Sequence, residues 1–297
     1  MRDNGGERLA RVVSVGRNSA WIAFEGEALL RLASLRKSVE RTALVPGDLV
    51  RATPLDEERV VVDALEPRTF ALTRTTAGGR TKTMAANVDG IAIVSAFARP
   101  APHLAMIDEL IAFAELHSLR AHLILTKPDL AEPDDLVRIP ALYAGLGYVT
   151  LVVNPKIQAG VDAIESTFAT AHTLLIGQSG VGKSTLFRAL GGSGAVGDVS
   201  KGGRGKQTTT TGRLHRFADG FLIDSPGVGE FELAGVSAAE LGLGFVEFAP
   251  LLGGCRFADC VHRDEPGCAV RAALESGRIA ASRYASYRSI LERPRSS

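Results

Sequence analysis

Apolar positions in the first 66 residues alternate with polar ones over short runs, the two-residue period of strands with one buried face. Leu9 to Val15 alternates, Ser19 to Phe24 is rich in β-forming residues, and Val60 to Leu65 makes a further strand. Pro46-Gly47-Asp48 is a turn ahead of another strand at Leu49 to Ala52. Several short strands in so short a stretch predict a small barrel, OB-like because that is one of few ways to close it. A plain β-meander acting as a scaffold is the competing reading. Residues 67–85 (PRTFALTRTTAGGRTKTMA) are polar, basic and glycine-containing, and read as a connector close to phosphate.

From residue 86 the period changes. Strand-like runs at Gly90 to Ser95, Ala121 to Leu125, Tyr148 to Val153 and Thr173 to Ile176 alternate with helical stretches. Leu104, Ile107, Leu110, Ile111, Ala114 and Leu119 follow helical spacing, and Ser184 to Leu190 continues from a glycine loop. Such alternation predicts a mostly parallel sheet with helices on both faces. Arg213 to Phe217 and Gly220 to Ile223 add two strands before Asp224, and after about residue 234 the pattern turns helical, ending with Ile279 to Leu291. The predicted partition is a barrel over 1–66, a connector over 67–85, an α/β domain over 86–233 and a mainly helical module over 234–297.

Composition adds limits rather than chemistry. A chain of 297 residues, 45% apolar and 23% charged, is ordinary globular material for two or three domains. No apolar run approaches the roughly 20 residues that span a bilayer. The opening MRDNGGERLARVV lacks the apolar core of a signal peptide, so a cytoplasmic location without membrane contact is expected. Net charge is +1, with residues 1–85 at +3 and residues 86–170 at −5, a spread that ordinary solvated surface also produces. Any polyanion must therefore be met by local patches.

The chemistry lies in three motifs. Gly177-Gln178-Ser179-Gly180-Val181-Gly182-Lys183-Ser184 fits GxxxxGK[ST], follows a strand and opens a helix whose next residue is Thr185. Glycines let such a loop turn backbone N–H groups toward phosphate oxygens, with the helix N-terminus behind them. Lys183 is expected to reach the β- and γ-phosphates and Ser184 to hold Mg²⁺. Leu222-Ile-Asp224-Ser-Pro-Gly227 ends a strand in a carboxylate, Asp224, suited to a Mg²⁺ water, followed by a glycine, Gly227, whose N–H can sense the γ-phosphate. Thr126-Lys127-Pro128-Asp129 resembles the guanine-reading [NT]KxD motif. Its carboxylate accepts from guanine N1–H and the N2 amine, a donor pair that adenine lacks. Only seven lysines occur in the chain, and two sit in these motifs. Between the P-loop and DSPG, Lys201 to Thr211 is basic, glycine-rich and threonine-rich, either a switch loop ordered by γ-phosphate and Mg²⁺ or an incidental linker. Thr209 is the expected metal ligand there. Val228 stands where many GTPases carry a water-orienting glutamine, which leaves Gln207 as the candidate.

Order is informative. The guanine motif precedes the P-loop, and the threonines and DSPG follow, a circular permutation of the usual GTPase arrangement. DSPG then leads through Phe231-Glu-Leu233 directly into the C-terminal module, so a move at Gly227 could be passed on to it.

All three cysteines fall in Cys255-x4-Cys260-x-His262-x5-Cys268. Three thiols and an imidazole in 14 residues suit a closed, structural zinc site better than a disulfide framework. Redox or merely buried thiols are the other readings.

Taken together, the chain resembles the ribosome small-subunit-dependent GTPase A family of circularly permuted GTPases over about residues 8–293. The resemblance rests on VPGDLV (45–50), AANVDGIAIV (85–94), GQSGVGKSTL (177–186), DSPGVGEF (224–231), GFVEF (244–248), the Cys/His set with EPGCAV (265–270), and RYASY (283–287). It implies an OB-fold and a zinc domain gripping the small (30S) subunit and its 16S rRNA. It also implies GTP hydrolysis stimulated there and linked to release, with Mg²⁺ and one Zn²⁺ as ions. A monomer is the default state. Three departures stand out. Gln207 replaces a histidine before the threonine run. Thr126 replaces the commoner asparagine, an exchange expected to cost a tethering bond to the P-loop. Asn154-Pro155 replaces Ser-Ala after Val153, so no base-contacting residue is assigned there. Val228 and Gln207 also keep open a GTP-gated RNA-binding module with negligible turnover, and a large-subunit factor is a weaker third reading.

Overall fold

The computed structural model describes residues 6–16, 19–27, 30–36, 39, 44–56, 59–75, 81–190, 214–217, 220–224 and 236–293. These fall into two compact units, one built on the N-terminal strands, the other on the guanine-motif strands and the C-terminal helices.

In the first unit, β1 (Arg8–Val15), β2 (Ala20–Phe24), β3 (Leu30–Leu35), β4 (Leu49–Pro54) and β5 (Arg59–Leu65) close a barrel in the order β1-β2-β3-β5-β4. All neighbours are antiparallel except β3 and β5, and β1 against β4 completes the circuit. Alternate positions Val12, Ile22, Val50, Val60 and Val62 are completely buried and fill the interior. The strand β3 was not singled out from sequence, because its leucine and alanine run lacks β-branched residues. Closure depends on the Pro46-Gly47-Asp48 turn. Gly47 has φ +92°, and a Cβ there would lie 1.9 Å from the Ala86 carbonyl oxygen. Asp48 is fully buried, accepts from the Val45 N–H at 2.8 Å and takes a two-pronged guanidinium from Arg68 at 2.7 and 2.9 Å.

The stretch expected as a connector is more ordered than that. β6 (Ala71–Thr75) and β7 (Thr81–Ala86) pair antiparallel, their alternating threonines suiting a two-stranded ladder.

The α/β region follows the predicted alternation. Its elements run β8 (Gly90–Ala96), α1 (Leu104–Leu116), β9 (Arg120–Thr126), α2 (Pro133–Gly145), β10 (Val149–Val153), α3 (Val161–Phe168), β11 (His172–Ile176), α4 (Lys183–Leu190), β12 (Leu214–Arg216) and β13 (Phe221–Asp224). β8, β9 and β10 are mutually parallel, with β9 central. β11 is parallel to β13, and β12 is antiparallel to it. Every residue of β8 is buried, as a strand covered on both faces must be.

The C-terminal module holds α5 (Ala238–Leu243), α6 (Ala269–Glu275) and α7 (Ala281–Leu291). A Ser237–Glu240 capping box starts α5. Phe245, Phe248 and Tyr287 form its aromatic centre, and Ala112 of α1 belongs to the same core. Gly244 permits that approach, since a Cβ there would lie 2.9 Å from the Ala112 carbonyl oxygen. Among the described residues no helix is long and apolar enough to cross a membrane.

Candidate functional site

The P-loop leaves β11 at Gly177 and enters α4 at Lys183. Gly177 is buried against β8, where a Cβ would meet the Val94 carbonyl oxygen at 2.2 Å. Gly180 and Gly182 have φ of +81° and +103°, conformations only glycine adopts freely. Lys183 donates from Nζ to the carbonyls of Gly177 and Gln178, curling back over the loop whose phosphates it is expected to meet. Ser179 and Ser184 are exposed, Val181 is buried, and the Thr185 N–H donates to the Gly182 carbonyl at 3.0 Å.

The guanine motif closes onto this loop. Thr126, buried at the end of β9, donates its hydroxyl to the Val181 carbonyl, with the Ser95 carbonyl 3.2 Å away. The tether expected to be lost with asparagine is therefore made by the threonine hydroxyl. Lys127, at φ +57°, donates to the Gly180 carbonyl at 2.7 Å and also to the Arg99 carbonyl. Asp129 sits exposed on the 3₁₀ turn Pro128–Leu130. Its Oδ1 accepts from Asn154 Nδ2 at 3.0 Å, a contact between loops 25 residues apart that no local pattern announces. Of the remaining predicted residues, Asp224 ends β13 in register with Leu175. Gln207, Thr209 and Gly227 lie outside the described residues, as does the Phe231 to Leu233 link.

The cysteine cluster has the dimensions of a metal site. Sγ of Cys255, Cys260 and Cys268 each lie 3.5 Å from His262 Nδ1, and Cys255 and Cys268 Sγ are 4.0 Å apart. A tetrahedral zinc with ordinary bond lengths requires about 3.6 Å between sulfur and nitrogen and about 3.8 Å between sulfurs. Disulfides need sulfurs at about 2 Å, so that reading fails. Burial pushes the Cys260 thiol up to about 12 and lowers His262, keeping the imidazole neutral as a ligand must be. Deprotonating the three thiols together in this space would need a cation to hold the charge. His262 itself is at φ +58°. Its loop is held by Glu265, whose carboxylate accepts the N–H groups of Val261, Arg263 and Asp264. Burial opposes the Glu265 charge, yet those backbone donors take it down to about 2.

Two of the quoted sequence motifs find their purpose beside this cluster. In RYASY, Tyr284 and Tyr287 donate to the carbonyls of His262 and Val261, each at 2.8 Å. Arg283 is fully buried and donates to Glu247 at 2.7 and 3.0 Å and to Asp108 of α1 at 2.6 Å. Its guanidinium also lies 4.5 Å over the Phe245 ring. Glu247 and Phe245 are the polar and aromatic parts of GFVEF. Sequence reasoning missed this ion network, since a lone arginine in a helix reads as solvent face.

Comparison with known proteins agrees with this geometry. The family model described as RsgA GTPase matches residues 65–234. A protein named "Small ribosomal subunit biogenesis GTPase RsgA" from Ectopseudomonas mendocina is 44% identical over 256 residues, covering 84% of this chain and 74% of that protein. One of the same name from Chromohalobacter salexigens is 40% identical, covering 98% and 87%. Among solved structures, YjeQ from Thermotoga maritima superposes with a TM-score of 0.76 at 29% identity, covering 97% of this chain and 100% of that one. YloQ, described as a circularly permuted GTPase, has a TM-score of 0.76 at 22% identity over 100% of this chain and 99% of that one, a likeness of fold.

Proposed function

This chain belongs to the RsgA GTPase family, and from that membership we propose that it hydrolyses GTP to GDP and phosphate in late maturation of the small (30S) ribosomal subunit. The observation that carries the reading is the docking of Thr126 and Lys127 onto the Val181 and Gly180 carbonyls, which joins a guanine reader to a phosphate loop. In this proposal residues 177–185 hold the phosphates, with Lys183 on the β- and γ-oxygens, and Thr126, Lys127 and Asp129 select guanine. Ser184, Thr209 and Asp224 hold Mg²⁺, Gly227 senses the γ-phosphate and Gln207 orients the attacking water. When bound, Mg²⁺ supplies charge neutralisation for the phosphates. The Cys255, Cys260, His262 and Cys268 set holds one structural zinc, a role supported by its spacing.

The barrel of 1–66, joined by 67–85 to the G domain of 86–233, and the zinc module of 234–297 are proposed as the partition of labour. The two flanking domains contact 16S rRNA, and the protein works as a cytoplasmic monomer. Relatives named for small-subunit biogenesis support that partner. Steady-state GTP hydrolysis with and without purified small subunits tests the proposal. Strong stimulation by small subunits and none by large ones is expected. GTP binding and co-sedimentation without stimulation would replace it with a GTP-gated binding factor.

A further inference from the structure

The geometry points to Asn154 as a positioning residue for the guanine-reading carboxylate, an inference that rests on the assignment of Asp129 to guanine. Asp129 is exposed on a three-residue turn, where a carboxylate by itself moves among rotamers. Asn154, just beyond β10, is buried and gives it one fixed donor, Nδ2 to Oδ1 at 3.0 Å. The amide cannot turn round without loss, because its Oδ1 accepts the Lys156 N–H at 3.3 Å. Its backbone is locked as well: Asn154 and Ala159 exchange N–H···O bonds of 2.9 and 3.2 Å, closing the loop on itself. Gly160, at φ +77° and with room for a Cβ blocked 2.7 Å from the Val152 carbonyl oxygen, makes that closure possible. A carboxylate accepts about four hydrogen bonds, so one to Asn154 leaves room for the two that guanine brings. Asn154 thus acts on the base through Asp129, setting the carboxylate so that both contacts form together. This is the position where Asn154-Pro155 departs from the family's usual Ser-Ala.

The test uses the full-length, zinc-loaded protein and compares GDP with inosine diphosphate, which lacks the 2-amino group and so one of the two bonds to Asp129. Affinities are measured by calorimetry for the wild type, Asn154→Ala, Asp129→Ala and the double variant. Asn154→Ala is expected to weaken GDP about tenfold, inosine diphosphate much less, and to add nothing once Asp129 is gone. Equal losses for both nucleotides would mean a merely loosened loop and would overturn the inference, as would unchanged GDP affinity. If Asp129→Ala itself leaves the preference for GDP intact, the guanine assignment fails first, an outcome separate from failure of Asn154 alone.

Discussion

At the scale of single residues, the nucleotide site depends on groups whose alternatives are sterically or chemically excluded. Thr126 illustrates this best. Its hydroxyl has one proton, aimed at the Val181 carbonyl, and both Val181 and Thr126 are buried. Thr126→Val keeps the volume and removes the donor, so the carbonyl is left buried without its partner. A loss of about 1–3 kcal/mol in stability is expected, together with weaker GDP binding. Urea unfolding and GDP titration check the two effects. Thr126→Asn restores an amide donor and should retain binding, and equal behaviour of valine and asparagine variants would show that the tether carries no energy. The P-loop was legible in the sequence because glycine spacing is a local signal with a local cause. Asn154 was not, because its partner is 25 residues away and asparagine before proline reads as a turn.

At the scale of elements, periodicity was a good guide where burial was one-sided or complete, and a poor one where it was neither. The strands of the α/β region announce themselves as short apolar runs between helical stretches. By contrast, β3 is a leucine and alanine run and the β6–β7 hairpin interleaves threonine with basic residues, so neither stands out as an apolar run. The zinc loop has no periodicity at all; its backbone is gathered by the Glu265 carboxylate, around four side chains spaced for a metal. Tyr284 and Tyr287 attach its carbonyls to α7, so a metal bound by the loop would also brace the helix. Stripping the ion with a strong chelator should release one zinc per chain, a binding energy of order 10 kcal/mol at neutral pH. The near-ultraviolet tyrosine signal should collapse with it while the far-ultraviolet signature of the strands persists. Cys255→Ser should reproduce that state without chelator. A chain that keeps its tyrosine signal with no metal bound would show that the aromatic core, not the ion, orders the loop.

At the scale of the molecule, permutation changes what the C-terminal module is attached to. Motif order alone predicted that DSPG would feed it. The described residues add a second attachment, through α1, which no motif order reveals. The loop leading into α1 presents the Arg99 carbonyl to Lys127, and α1 itself presents Asp108 and Glu109 to Arg283 and Arg293. A guanidinium with 0% exposure between two carboxylates contributes little beyond an apolar replacement while intact, but its removal strands two buried charges. Arg283→Met should therefore destabilise the protein by about 3–5 kcal/mol. Adding Asp108→Asn and Glu247→Gln removes the stranded charges and should recover a large part of that loss. If α1 transmits strain from this network, Arg283→Met also weakens GDP several-fold, and the triple variant regains it. Urea midpoints and GDP titrations on the same three proteins separate the possibilities. Recovered stability with GDP affinity unchanged throughout would make the network a simple fastening. Parallel movement of both would make α1 the mechanical link between nucleotide and module.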